Sequence, residues 1–457
     1  MECRFRNETE LLSGENRRTR AKVLGMLEAG IRSVDPRNSI LECLSFKGVV
    51  LRVGPHGRME ERGGAAQEMR LERDSRVLVV GCGKAATPMV EAVHEILGER
   101  AEGSVNGLED RKIGRIQIIK ARHPIPDESG VKGAEVILEI ARGATEKDIV
   151  LCLISGGGSA LMPLPEEGIT LSDKMAMTQL LLKCGANIVE INSVRKHLSR
   201  IKGGKLSLAA GKARIFSLIL SDVLGDPLDS IASGPTAPDT KTYEDAIGVF
   251  KKYKIWDEAP ANVRKVLEAR KNETPRADHP VFKHVTNILI GNNEKAVDAA
   301  AAKARSLGYS VATRYRWMVG EASAFPSKVL VPEMGKLLDA GALRKPCALV
   351  FGGELTVTLR GQGKGGRNQE MALSALPALE KGWTLASIGT DGIDGNSDAA
   401  GALADSEVQR RARELKLEAA PYLERNDSNG FLSRAKGLLL TGPTGTNVAD
   451  IALLIVE

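Results

Sequence analysis

One unit recurs along this chain and limits what it can fold into: a short, continuous apolar run that ends in a glycine-rich turn. It occurs at residues 77–83 (VLVVGCG), 149–158 (IVLCLISGGG), 288–293 (ILIGNN), 349–354 (LVFGGE), 385–392 (LASIGTDG) and 438–445 (LLLTGPTG). A seventh run, 217–226 (SLILSDVLGD), ends in acids. Apolar residues that do not alternate with polar ones describe strands buried on both faces, as in a parallel sheet. Helical periodicity lies between several runs, at 88–97, 131–141, 173–182 and 295–307. Strand, turn and helix in alternation predict a doubly wound α/β architecture. Ligands of such sheets bind beyond the carboxyl ends of the strands, so the fold collects the glycine turns on one edge.

The rest of the chain fills in around this frame. Residues 17–34 predict an amphipathic helix, with a strand and a polar excursion over 49–72. The charged, proline-bearing stretch 270–280 separates a larger first domain from a smaller second one, and we divide the chain at 1–284 and 285–457. Of 457 residues, 42% are hydrophobic but only 4% aromatic, so the core is built of Ala, Leu, Ile and Val. Net charge is +6 from 64 basic and 58 acidic residues, and no basic run is interleaved with aromatics. That favours anionic small molecules over nucleic acid. The six cysteines contain no C-x-x-C pair, which predicts a reducing compartment and Cys82 as a buried filler. Residues 1–22 have no apolar core of a secretory signal, so none is expected, and no apolar run nears 18 residues. The expectation is a cytoplasmic protein with no membrane association; homo-oligomerisation stays open.

Four motifs carry chemistry. Gly81-Cys82-Gly83-Lys84 follows a strand and opens a helix, where glycines admit phosphate to the backbone and Lys84 suits its charge. The next strand is expected at 113–119 and ends in Lys120, not in an acid for a ribose, which argues against a nicotinamide dinucleotide. Ser155-Gly156-Gly157-Gly158-Ser159 places three glycines where packing needs none, as an anion loop does. Residues 361–370 (GQGKGGRNQE) bring Lys364, Gly365, Gly366 and Arg367 to the start of a helix over 371–379. Asp391, Asp394 and Asp398 cluster within eight residues, a set of oxygens suited to Mg²⁺, with metal-free Asx turns as the competing reading. Asp222 ends a strand as a metal ligand, a base or a cap. His123 sits in a proline turn and reads as structural. Residues 192–197 open a basic helix continued by 200–205, either a solvated face or an anion clamp built on Arg195.

Taken together, VVGCGKAA, HPIPDESG, LISGGGSALMPLP, NSVRKHLSRIKGGKL, LSDVLGDPLDSIASGPT, FGGELTVTLRGQGKGGRNQE, SIGTDGIDGNSDAAGA and TGPTGTNVADI resemble the glycerate 2-kinases with a MOFRL C-terminal domain. The blocks run in order from about residue 77 to the end. The resemblance implies a larger Rossmann-like domain, a smaller α/β domain and an interdomain cleft. It implies transfer of phosphate from ATP to D-glycerate, giving 2-phosphoglycerate. The family's cleft lysine matches Lys84, its loop arginine matches Arg367, and its acidic positions fall on Asp222 and Asp391.

The residues then take roles in phosphoryl transfer, where the protein positions groups and neutralises charge. Gly81, Gly83, Ser155–Ser159 and Lys364–Gly366 are expected to cradle ATP phosphates, and Asp391 or Asp394 to hold Mg²⁺. Lys84 stabilises the transferring group, Arg367 or Arg195 clamps the glycerate carboxylate, and Asp222 accepts the hydroxyl proton. Two rivals are an NAD(P)-dependent hydroxypyruvate reductase and a non-catalytic sensor of a sugar acid or nucleotide.

Overall fold

A computed structural model describes residues 5–54 and 66–457, so part of the polar excursion lies outside the described residues. The chain forms two compact units, one of residues 36–290 and one that joins 5–35 to 291–457.

In the unit of residues 36–290, a small antiparallel sheet comes first: β1 (Leu44–Lys47), β2 (Val50–Val53) and β3 (Gln67–Arg70). The main sheet follows: β4 (Val77–Cys82), β5 (Ala101–Gly107), β6 (Arg111–Ile113), β7 (Arg115–Lys120), β8 (Ile149–Ile154), β9 (Arg214–Leu220) and β10 (Val285–Gly291). The spatial order is β10-β9-β8-β4-β5-β7-β6. The pairs among β9, β8, β4, β5 and β7 are parallel, and β6 is an antiparallel edge. From β4 the chain winds outward through β5 and β7, then returns to β8 and winds the other way. The β4–β8 pair is therefore the topological switch point, where α/β sheets open a crevice. Cys82 is in register with Ile154, so both strands end level there.

Every residue of β4 and β8 is buried, as their unbroken apolar runs require. β5 was not anticipated, because its sequence AEGSVNG is polar. Its terminal Asn106 is nonetheless buried, donating to the carbonyls of Gly130 and Leu161. The strand after β4 thus ends in Asn106–Gly107, and β7, the strand expected at 113–119, comes two positions later. A second hydrophobic core is built mainly from helices. It packs Met177, Leu181, Val194, Tyr243, Phe250, Val263 and Leu267 from the helices Leu171–Lys183, Ile188–His197, Tyr243–Tyr253 and Ala261–Ala269.

In the other unit the order is β11-β12-β16-β13-β14-β15, from β11 (Ser310–Met318), β12 (Cys347–Gly353), β13 (Trp383–Gly389), β14 (Gly401–Ala404), β15 (Leu438–Leu439) and β16 (Asp450–Val456). This sheet is mixed. β16 runs antiparallel between β12 and β13, so the apolar run at 438–445 is not a core strand beyond its first two residues. The arrangement brings the carboxyl ends of β12 and β13 to one edge, where Asp450 pairs with both Gly353 and Gly389.

The N-terminal helix Arg17–Ser33 belongs to this second unit. A Cβ on Gly30 would lie 2.7 Å from Ile451 Cδ1 and 3.0 Å from the Ala296 carbonyl, so this helix packs closely on the backbone of the helix Asn293–Ser306 and on a side chain of β16. Arg20, 1% exposed, forms a fork with Asp405 at 2.8 Å on both arms. The compact units therefore depart from the 1–284 and 285–457 division. The boundary falls at 290/291, and residues 5–35 pack with 291–457. The stretch 270–280 is no linker, because Glu273 and Thr274 bind into the helical core.

Candidate active site

The switch point assembles a loop site from distant residues. The Ser155 amide donates to the Cys82 carbonyl at 3.1 Å, the Lys84 amide to the Gly156 carbonyl at 2.9 Å, and the Ala85 amide to Ser155 Oγ at 3.1 Å. These bonds lock the two glycine turns together. The space above Gly156 and Gly157 is taken by functional side chains. A Cβ on Gly156 would lie 2.3 Å from Asp222 Oδ2. One on Gly157, whose φ is +82°, would lie 2.9 Å from His123 Cδ2 and 3.1 Å from Lys84 Cγ. Lys84, His123 and Asp222 thus surround one pair of glycines. His123, read from the sequence as structural, stands in this group; partial burial and the neighbouring Lys84 charge push its imidazole below the ordinary value.

Other predicted members have structural duties. Gly81 lies within β4, and a Cβ there would come 2.0 Å from the Leu153 carbonyl, so it serves strand packing and not the loop. Gly158 also has a packing reason: a Cβ would meet Ala232 Cβ at 2.7 Å and Cys82 Sγ at 2.8 Å. Burial pushes the Cys82 thiol up to about 11, consistent with a filler and not a nucleophile. Ser159 Oγ lies 2.9 Å from Ser233 Oγ.

Ser159 opens onto a cavity of about 200 Å³. Its walls are Pro124, Ile125, Pro163, Leu171, Met175 and Leu182, and its charged lining is Lys174, Arg195 and Lys202. The basic stretch 192–205 is thus mostly interior. Its helix ends at His197, and the cations are placed singly. Lys196 is paired with Asp229 and Asp239, and Lys205 with Glu166. No local pattern signals this, because the neutralising acids lie 33 to 43 residues away.

In the other unit, the edge carrying Asp450 holds the second predicted cluster. Arg367 starts the helix Arg367–Ala375, four residues before the expected 371. Its Nε and one terminal nitrogen grip buried Asp450, the latter at 2.9 Å, and the other reaches Glu354 at 3.1 Å. Burial opposes its charge, yet Asp450 holds the guanidinium above its usual value. All three guanidinium nitrogens are engaged by two acids, and Arg367 also lines a cavity with Gly365 and Gly366. Asp394 accepts from the Asn368 and Gln369 amides and from both their side chains, at 2.9–3.2 Å. It is the buried cap of that helix, which leaves Asp391 as the freer carboxylate. Asp391 Oδ1 accepts from the Ile393 amide.

The amides of Lys364 and Gly365 are already taken by Asp427 and Asn396. A Cβ on Gly366 would lie 2.4 Å from Asp394 Cγ, so this glycine permits the capping contact. What the loop keeps for a ligand is the Lys364 ammonium, exposed and paired with Asp398 at 2.8 Å. A cavity of about 310 Å³ adjoins it, between Leu355, Val357 and Leu359 on one side and Gly363, Gly365 and Gly366 on the other. Among the described residues no group of three His, Cys, Asp or Glu side chains could hold a metal, and no helix is long and apolar enough to cross a membrane.

A doubly wound sheet with a lysine, a histidine and an aspartate around paired glycine turns defines a class of α/β protein whose crevice lies at the switch point. Two family models match the chain: a domain of unknown function (DUF4147) over residues 22–268 and the MOFRL family over 347–450. The chain is 42% identical to the D-glycerate 2-kinase of Thermotoga maritima over 83% of its own length and 91% of that protein. It is 39% identical to the glycerate 2-kinase of Pyrococcus horikoshii over 95% and 96%. The crystal structure of glycerate kinase from Thermotoga maritima superposes with a TM-score of 0.82 at 37% identity, covering 95% of this chain and 98% of that one. The chain belongs to the glycerate 2-kinase family.

Proposed function

We propose that this protein transfers the γ-phosphoryl group of ATP to the 2-hydroxyl of D-glycerate, giving 2-phosphoglycerate and ADP. The observation that carries the reading is the convergence of Lys84, His123 and Asp222 on Gly156–Gly157 at the switch point. Phosphoryl transfer needs a cation near the moving group, an acceptor for the hydroxyl proton and a close backbone, and these residues supply all three.

Lys84 neutralises charge on the transferring group. Asp222 accepts the proton of the attacking hydroxyl. Gly83, Ser155, Gly156 and Gly157 let phosphate oxygens approach the turns, and Ser159 adds a hydroxyl donor. Arg195, which has no carboxylate among the residues lining its cavity, takes the acid's carboxylate in place of Arg367. Taken by itself, the other unit carries Lys364, paired with exposed Asp398, and an apolar face of Leu355, Val357 and Leu359.

Mg²⁺ in such enzymes is held by one or two carboxylates, with phosphates and water completing its shell. The residues fit that sparse arrangement: Asp391 would hold the ion, while Asp394 is occupied by its four donors. When bound, Mg²⁺ supplies charge neutralisation at the phosphates.

Lys84→Ala tests the assignment. It should abolish turnover while the circular dichroism spectrum and melting temperature stay near wild type. Retained turnover would sink the role given to Lys84 and with it the site.

A further inference from the structure

The cavity beside Ser159 contains a feature the proposed reaction does not by itself require. Three cations, Lys174, Arg195 and Lys202, line it, and none of its lining residues is acidic. The neighbouring lysines of the same stretch, Lys196 and Lys205, are neutralised by Asp229, Asp239 and Glu166. Lys202 is 2% exposed, and its ammonium, with three protons to place, donates to the Ala232 carbonyl at 3.1 Å. Lys174 reaches the carbonyls of Pro163 and Leu164 only at 3.4–3.5 Å. Burying unpaired charge is costly, and a fold keeps such a cluster where an anion completes it.

We propose that Lys174 and Lys202 bind the acceptor acid together with Arg195, and that their combined charge matches the phosphorylated acid better than the acid itself. The inference rests on the reading of Arg195 as the carboxylate anchor. Glycerate brings one negative charge to three cations. A carboxylate and a phosphate on adjacent carbons bring about three. The cavity therefore holds product more tightly than substrate, and the two lysines set the affinity of both.

The free site carries a mark of this design. Burial pushes Lys202 down to about 8, with Arg195 adding repulsion, while Cys82 acts the other way. Burial, Lys202, Arg195 and Lys205 push Lys174 well below its ordinary value, opposed by Glu166. Anion binding favours the charged forms of both, so it draws protons onto the protein.

The test uses the intact protein in three arms. Isothermal titration with 2-phosphoglycerate at pH 8, in buffers of different ionisation enthalpy, should show proton uptake and affinity at least tenfold above that for D-glycerate. Steady-state kinetics should show the KM for D-glycerate rising about tenfold per pH unit above 8, while the KM for ATP changes little. Lys202→Met should raise the KM for D-glycerate at least tenfold, with the KM for ATP within threefold of wild type. Lys202→Arg, permanently charged, should bind the acid and flatten the pH dependence. A rise in the KM for ATP instead of glycerate in Lys202→Met, or a KM for D-glycerate within twofold of wild type in that variant, overturns the inference. Failure of the kinase reading looks different: wild-type protein would then form no phosphoglycerate at all.

Discussion

Gly156→Ala isolates the most specific contact in the proposed centre. Gly156 lacks a left-handed φ, so alanine meets no backbone penalty there. The added methyl would fall 2.3 Å from Asp222 Oδ2 and 2.9 Å from its Cγ, where ordinary van der Waals contact begins at 3.4 Å. One partner must therefore yield by about 1 Å, and the Asp222 side chain is softer than a loop bonded to the Lys84 amide. A misplacement of about 1 Å at a reacting group costs on the order of 10²-fold in rate. We expect kcat to fall about 10²-fold, with the KM for ATP within threefold and the melting temperature nearly unchanged. A double-mutant cycle sharpens the test. With Asp222→Asn already present, the alanine should cost less than threefold more, because the group it displaces no longer accepts a proton. A kcat within twofold of wild type for Gly156→Ala alone, or full additivity in the cycle, would refute the placement of Asp222 at the reacting hydroxyl.

Three further outcomes follow from the geometry. Arg20→Met leaves the carboxylate of Asp405 buried against two helix amides and Asn16, and should destabilise the unit by about 3–5 kcal/mol, measured by urea unfolding. A loss below 1 kcal/mol would mean that the N-terminal helix is not integral to that unit. Asp391→Asn should raise the Mg²⁺ concentration needed for half-maximal activity at least tenfold, whereas Asp394→Asn should lower stability and leave that concentration near wild type. The reverse pattern would exchange the two roles. Asp148 is buried and bonded to Arg76 and Thr145, which holds its carboxyl below the usual value despite burial. A depressed carboxylate stabilises the fold above about pH 4 and loses that contribution as pH falls further. Asp148→Asn should therefore be less stable at pH 7 and show a flatter acid limb; an acid limb as steep as wild type would contradict the assignment.

The sequence revealed β4, β8, β12 and β13, because a strand buried on both faces must be an unbroken apolar run and a tight crossover must end it in glycine. It did not reveal direction. β16 inserts antiparallel between β12 and β13, and nothing in DIALLIV distinguishes that from a parallel strand. The polar β5 was hidden for the opposite reason: the Asn106 amide nitrogen donates to carbonyls far along the chain, so polarity there does not mean exposure. Site residues divided the same way. That the Lys84 turn and the 155–159 loop share one edge was legible, since both follow buried strands of one sheet. Arg367 and Asp394 were read as ligand groups because their partners, Asp450 in one case and the amides of Asn368 and Gln369 in the other, come together only on folding. Lys202 was taken as part of a charged helix, and only the folded cavity sets it apart from Lys196 and Lys205.

The central claim is that phosphate from ATP is sent to the 2-hydroxyl of D-glycerate. Incubating the protein with ATP, Mg²⁺ and D-glycerate and following the mixture by ³¹P and ¹³C NMR tests it directly. A new phosphomonoester coupled to C2 should appear in step with ADP. A phosphomonoester on C3 would contradict the site of transfer. No phosphoglycerate, with NADH consumed when hydroxypyruvate is supplied, would contradict the claim itself.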